Sequence, residues 1–255
     1  MDYLAINKEA WDKRTTVHVK SSYYDVNGFL QGKTSLKNIE LEEVGPVEGK
    51  SLLHLQCHFG LDTLSWARLG AKVTGVDLSS EAISQAKLLA KQANLEASFI
   101  CSDVYQFNEV CPEKFDIVFV SYGALCWLPD LNLWAETVSK ALKPSGKIHL
   151  IEFHPFDELL LGAAYFASDE PLVEEDGTYT ENCTGDKVKM VTWMHPISDV
   201  INALVKSGIS IESFNEYPYS PYYLEGFVAG ESGGYQLLHK GNAIPLVYSV
   251  KGKKL

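Results

Sequence analysis

The chain predicts an α/β fold: a mostly parallel sheet with helices on both faces, a helical segment ahead of it and one insertion. Three observations carry this expectation. Strand-type apolar runs alternate with segments of helical period through residues 50–153. The first such unit bends at a glycine, and its second strand ends in a carboxylate. Serial strand–helix repeats of this kind need right-handed crossovers, which place the strands parallel and cover both faces of the sheet.

Taken in order, residues 1–45 read as a mainly helical cap, and residues 46–255 as the main domain. Leu52-Leu53-His54-Leu55 is a buried-strand run bracketed by Gly49 and Gly60. Gln56-Cys57-His58-Phe59-Gly60 turns the chain, and Leu61, Leu64 and Ala67 then share one helical face until Gly70 stops the helix. Val73-Thr74-Gly75-Val76 is the second strand and runs into Asp77. Ser79 or Ser80 caps a helix whose apolar face is Ala82, Ile83, Ala86, Leu89, Ala90 and Ala93. Residues 97–101 form a third strand ending at Ser102-Asp103, and 115–120 a fourth ending at Ser121-Tyr122-Gly123. A helix with Leu131, Trp134, Ala135, Val138 and Leu142 leads through a Lys143-Pro144-Ser145-Gly146 turn to a fifth strand at 147–153.

Residues 155–193 break the rhythm, with an apolar patch at 159–166, an acidic run at 169–176 expected as a solvated loop, and strand-like pieces near Tyr179 and Val188. A helix with Ile197, Val200, Ile201, Leu204 and Val205, a strand at 209–214 and a last strand at 245–250 close the chain.

Composition narrows the class. The 255 residues are 46% hydrophobic and 22% charged, which suits a soluble enzyme of one large domain. A formal net charge of −11, with no basic block, disfavours nucleic acid as the main partner. The start is too polar for a signal peptide and no apolar run reaches membrane-spanning length, so no membrane is expected. Five cysteines without a CxxC pair point to free thiols in a reducing, cytoplasmic setting. Cys57 and His58 are adjacent and have no matching pair elsewhere, so no metal is expected.

The strand, glycine turn, helix and strand of 52–77 are how an open α/β sheet makes a nucleotide pocket. A carboxylate about 20 residues past the turn suits the two hydroxyls of a ribose. The set formed by 52–60, Asp77, Asp103, 115–120 and Leu142-Lys143-Pro144-Ser145-Gly146 resembles the class I S-adenosylmethionine-dependent methyltransferases, over roughly residues 50–255. That resemblance implies a Rossmann-like sheet of seven strands with the last antiparallel, S-adenosylmethionine as cofactor and S-adenosylhomocysteine as product. The family's glycine motif is acidic-x-Gly-x-Gly-x-Gly. Here Gln56 replaces the acid and His58 the first glycine, while Gly60 keeps the middle one.

The resemblance also assigns roles. Gln56, Cys57, His58, Phe59 and Gly60 would line the methionine end, and an amide oxygen can still accept from an ammonium. Asp77 would hold the ribose, with Leu78 and Ser79 beside it; Asp103 and Val104 would meet the adenine, and Ser121 would lie near the sulfonium. Tyr122 and His154, and also His195, are candidate bases for a hydroxyl or amine acceptor. Trp11, His18, Tyr24 and Trp127, with the insertion 155–193, are the expected walls and cover of the acceptor site. Methyl transfer to a small molecule with an oxygen or nitrogen nucleophile is the function expected. A non-catalytic protein binding the same cofactor and a nicotinamide-dependent oxidoreductase are the alternatives. The oxidoreductase normally has more glycine at the pyrophosphate than His58 and Asp62 allow, and methylation of a protein or nucleic acid is the remaining rival.

Overall fold

In the computed structural model, which describes residues 1–160, 162, 164–224, 226–230 and 234–255, three helices precede the sheet. They are Tyr3–His18 (α1), Val26–Leu30 (α2) and Asn38–Val44 (α3). The sheet region then runs Ser51–Leu55 (β1), Leu61–Arg68 (α4), Lys72–Asp77 (β2), Ser80–Gln92 (α5), Ser98–Cys101 (β3), Phe107–Val110 (α6), Phe115–Ser121 (β4), Leu131–Ala141 (α7) and Leu142–Phe153 (β5). The insertion contributes Phe156–Leu160 (α8), Leu172–Asp176 (β6) and Val188–Thr192 (β7). Ile197–Lys206 (α9) and Ile209–Tyr217 (β8) follow, then four two-residue strands: Val228–Ala229 (β9), Tyr235–Gln236 (β10), Leu238–His239 (β11) and Asn242–Ala243 (β12). Val247–Lys254 (β13) ends the chain.

The main sheet has seven strands in the order β3-β2-β1-β4-β5-β13-β8. Its first five strands are parallel, and β13 runs antiparallel to both β5 and β8. The apolar alternation of each strand explains why both faces are covered. Leu53, Leu55, Val118 and Val120 pack with Trp134, Val138 and Leu204 from α7 and α9. Leu52, Ile117 and Phe119 point the other way, onto Trp66 and the α3 region, because successive strand side chains alternate. Phe59, Leu64, Ile83, Ala86 and Phe99 fill a third cluster between α4, α5 and β3. The carboxyl ends of β1 and β4 are neighbours from which the chain departs in opposite directions, and that switch point opens the crevice where such sheets bind ligands.

Four local expectations change. The acidic run is not a loop: Leu172–Asp176 is an exposed strand pairing antiparallel with Val188–Thr192, and the strand expected near Tyr179 is absent there. The apolar side is supplied by β7, whose Val188 and Met190 pack on Ala10 of α1, so a charged partner can ride as an edge. The turn expected at 143–146 is instead the irregular start of β5. There Ser145 is left-handed (φ 62°) and Lys143 grips the Asp116 carboxylate at 2.9 Å. The last strand lies at 247–254 rather than 245–250, since Pro245 has no amide for a ladder. Of the apolar patch 159–166, Leu161 and Ala163 lie outside the described residues. Among the described residues, no helix is long and apolar enough to cross a membrane.

Candidate functional site

A cavity of about 380 Å³ opens at the carboxyl edge of the sheet. The turn after β1 forms its floor. Gln56 and His58 are both left-handed (φ 54° and 51°), a conformation that costs a side-chain-bearing residue roughly 1–2 kcal/mol. Two backbone bonds hold it: Cys57 N–H donates to Val76 at 2.9 Å and His58 N–H to the Asp77 carboxylate at 2.7 Å. Gly60 is also left-handed, and a Cβ there would lie 2.8 Å from the Phe99 ring and 3.0 Å from Ala86. Glycine is thus required where the turn meets α5 and β3.

Asp77 accepts from His58 N–H at one oxygen and from Ser79 N–H, at 2.9 Å, at the other. Each oxygen keeps a further lone pair for a ligand. Burial pushes this carboxyl up to about 6, against the pull of those amides. Leu78, Asp103, Val104 and, from α1, Tyr3 and Leu4 line the same end of the cavity. Asp103 is half-buried, caps the Val104 turn through Tyr105 N–H at 3.1 Å, and is raised by burial.

Gln56 donates its amide to the Ala124 carbonyl at 2.7 Å, which leaves its Oε1 buried and without a partner. Arg14 of α1 donates to the Gly177 carbonyl at 2.8 Å, and its buried Nε also lacks a partner. Its guanidinium lies 5.6 Å from the Trp11 ring and 5.9 Å from Trp127. The turn after β4 is organised by Glu152, a wholly buried carboxylate that accepts from the amides of Gly123, Ala124, Leu125 and Phe153. Beyond that turn, Tyr122 meets Phe153 at 5.3 Å and Tyr222 at 5.1 Å between ring centroids, and Tyr23 stacks on Tyr222 at 5.7 Å. Asp62 lines this part of the cavity and is raised by burial, partly offset by the hydroxyls of Ser35 and Ser121 and by Lys37.

The structure brings together most residues singled out from the sequence, but not all. Gln56, Cys57, His58, Asp77, Leu78, Asp103, Val104, Ser121, Tyr122, Trp11, Tyr24 and Trp127 all line the cavity. Phe59 and Gly60 instead line an adjoining recess of about 200 Å³, with the Phe59 ring sunk in the core. Ser79 is spent on structure: its hydroxyl caps α5 at Ala82 and donates to Asp12 of α1. His18 lies behind the wall, between His58 at 3.3 Å and the Thr178 hydroxyl. Burial depresses both imidazoles, so they stay neutral around pH 7.

His154 does not reach the cavity. Its Nδ1 accepts from Phe156 N–H at 3.1 Å and its Nε2 faces Glu216 at 3.0 Å, so neither nitrogen is free to act as a base. His195 is likewise held elsewhere, by the Leu128 carbonyl at 2.8 Å. The Tyr122 hydroxyl is at the site, but burial pushes it strongly up, which suits a hydrogen-bonding role rather than a base. Sequence reasoning missed Arg14, Asp62 and Tyr222 as cavity-lining groups, and Glu152 as the carboxylate that holds the turn after β4. Only Asp62 had a local signal, two residues past Gly60 at a helix start.

Comparison with known proteins agrees with this architecture. A family described as Methyltransferase domain matches residues 52–146, the stretch that carries the turn, Asp77 and Asp103. Over that stretch the chain is similar to methyltransferase domains. A ubiquinone biosynthesis O-methyltransferase from Idiomarina loihiensis is 34% identical to this chain over 100 residues, 39% of the chain and 41% of the relative. Thus the match spans less than half of that relative's length. Another protein of that name, from Proteus mirabilis, is 22% identical over 72% of the chain and 81% of its own length. A solved S-adenosylmethionine-dependent methyltransferase from Methanosarcina mazei shares the fold, with a TM-score of 0.61, 19% identity, and coverage of 86% of this chain and 98% of the other.

Proposed function

We propose that this protein transfers a methyl group from S-adenosylmethionine to a small-molecule acceptor with an oxygen or nitrogen nucleophile. The observation that carries the reading is one cavity lined by the unpartnered Gln56 Oε1 and Arg14 Nε together with the Asp77 and Asp103 carboxylates. The buried Gln56 Oε1 is an acceptor for the ammonium of an amino acid, and the buried Arg14 Nε a donor for its carboxylate. Asp77, its two oxygens already steered by backbone amides, accepts from ribose hydroxyls. Asp103 accepts from an adenine amino group, and Leu78 and Val104 give it apolar contact.

When bound, this cofactor supplies an activated methyl group, so the chain's task is to orient and enclose. Positioning of this kind supplies about 7–11 kcal/mol. Ser121 and Tyr122 face the acceptor, and the aromatic walls exclude water. In this reading residues 1–45 are a cap, 46–255 the cofactor-binding domain, and 155–193 the acceptor-side insertion. The partner is a small molecule and not nucleic acid, which the charge of −11 supports. A cytoplasmic setting is part of the same reading, supported by five free cysteines.

The test is calorimetry with S-adenosylhomocysteine. Asp77→Ala removes two charge-assisted hydrogen bonds and is expected to weaken binding by at least about 100-fold while cooperative unfolding is retained. Equal affinity in the variant and the parent overturns the assignment. Release of S-adenosylhomocysteine from S-adenosylmethionine with a metabolite extract separates catalysis from mere binding.

A further inference from the structure

We propose that the acceptor is an amine, drawn in as an ammonium and seated on the Asp62 carboxylate inside a tyrosine-walled recess. The inference rests on the methyl-transfer reading above and names the substrate class of that site. Asp62 stands in the first turn of α4, where the helix amides favour a negative charge. Among the described residues it makes no ion pair; its neighbours are the hydroxyls of Ser35 and Ser121, with Lys37 further off.

Tyr122, Tyr222 and Tyr23 line the same cavity as Asp62, with Tyr23 stacked on Tyr222 and Tyr122 edge-on to it, and aromatic rings attract cations over their faces. One ammonium already uses this surface: Lys37 Nζ lies 5.0 Å from the Tyr222 centroid. Glu40, wholly buried, adds a second acid that acts on the Tyr122 hydroxyl. The other cation of the cavity, Arg14, sits among Trp11, Trp127 and Tyr179 and does not act on Asp62. A neutral acceptor would leave the buried carboxylate unpaired, whereas an ammonium compensates it.

The chemistry balances. The ammonium gives one proton to the Asp62 carboxylate, and the freed nitrogen lone pair forms the new N–C bond. The methyl–sulfur bond breaks with its electron pair going to sulfur. The product leaves as a methylated ammonium, and Asp62 passes its proton to water.

The test uses the full chain and a matched pair of probes, 2-phenylethylamine and its neutral counterpart 2-phenylethanol, after S-adenosylhomocysteine affinity has been measured alone. Failure of the nucleoside to bind defeats the methyl-transfer reading itself. With the nucleoside bound, the amine is expected to bind at least about tenfold more tightly than the alcohol. Asp62→Asn is expected to bring that ratio to within about twofold while leaving the nucleoside's affinity within about twofold. Three results overturn the inference: no amine binding, an alcohol bound as well as the amine, or discrimination retained in Asp62→Asn. A fourth does so as well: loss of nucleoside binding in Asp62→Asn would assign this carboxylate to the cofactor's own ammonium.

Discussion

Glu40 is a carboxylate with almost no water. Its Oε2 accepts from Lys37 N–H at 2.7 Å, closing the capping box of α3, yet burial and the nearby Asp62 push it up to about 7. Because its folded value is raised above the ordinary 4.5, the native state holds a proton that the unfolded chain has released. Stability therefore falls as pH rises from about 4.5 to 7, by about 3 kcal/mol in total if no other group offsets it. Asp77, raised to about 6, adds a loss of the same sign at the lower end of that window. Glu40→Gln keeps the accepting oxygen and removes the charge. Urea titrations at pH 5 and pH 8 are expected to give a smaller difference for Glu40→Gln than for the parent, and an unchanged difference would acquit Glu40.

At the scale of elements, polar side chains on the inner side of α1, Asn7, Asp12 and Arg14 among them, hold it to the site. Asn7 exchanges two hydrogen bonds with Val191 of β7, at 2.8 and 2.9 Å. Asp12 accepts from the Ser79 hydroxyl at 2.7 Å and Glu81 N–H at 3.1 Å, and Arg14 reaches Gly177. Asn7→Ala leaves the buried Val191 groups without partners, a cost of about 1–3 kcal/mol. Hydrogen exchange is expected to quicken in α1 and β7 and to stay unchanged in β1 and β4; uniform quickening would mean that the helix does not open independently.

These anchors also explain what the sequence could tell. The core strands were legible because Leu52, Leu53, Leu55 and the 115–120 run carry their own periodicity and apolar surface. The strand at 172–176 was not, since its pairing depends on β7 and α1, far away in sequence. Glu152 reads as one polar residue in an apolar strand, and only the fold turns it toward four amides. The base candidates failed for a related reason: His154 sits at the end of β5, but its neighbours Phe156 and Glu216 capture both nitrogens.

Across the whole molecule, the cavity is closed by pieces distant in sequence: α1, the turn after β4, and Tyr179 and Tyr222 from later segments. Tyr24 and Tyr179 join their hydroxyls across 155 residues, and Glu181 receives the Ser22 amide. A ligand that contacts both α1 and the sheet edge should tie these pieces together. Limited proteolysis is expected to cut residues 1–45 more slowly once S-adenosylhomocysteine is added, in proportion to site occupancy. Cleavage at an equal rate with and without it would remove the covering role.

The hold of α1 on β7 and α5 carries a kinetic consequence. A nucleoside that contacts both α1 and the sheet edge is expected to leave faster when that helix lifts, so its departure rate is expected to track the strength of the Asn7 and Asp12 anchors. If product release limits the proposed methyl transfer, weakening an anchor raises the maximal turnover even while ligands are held less firmly.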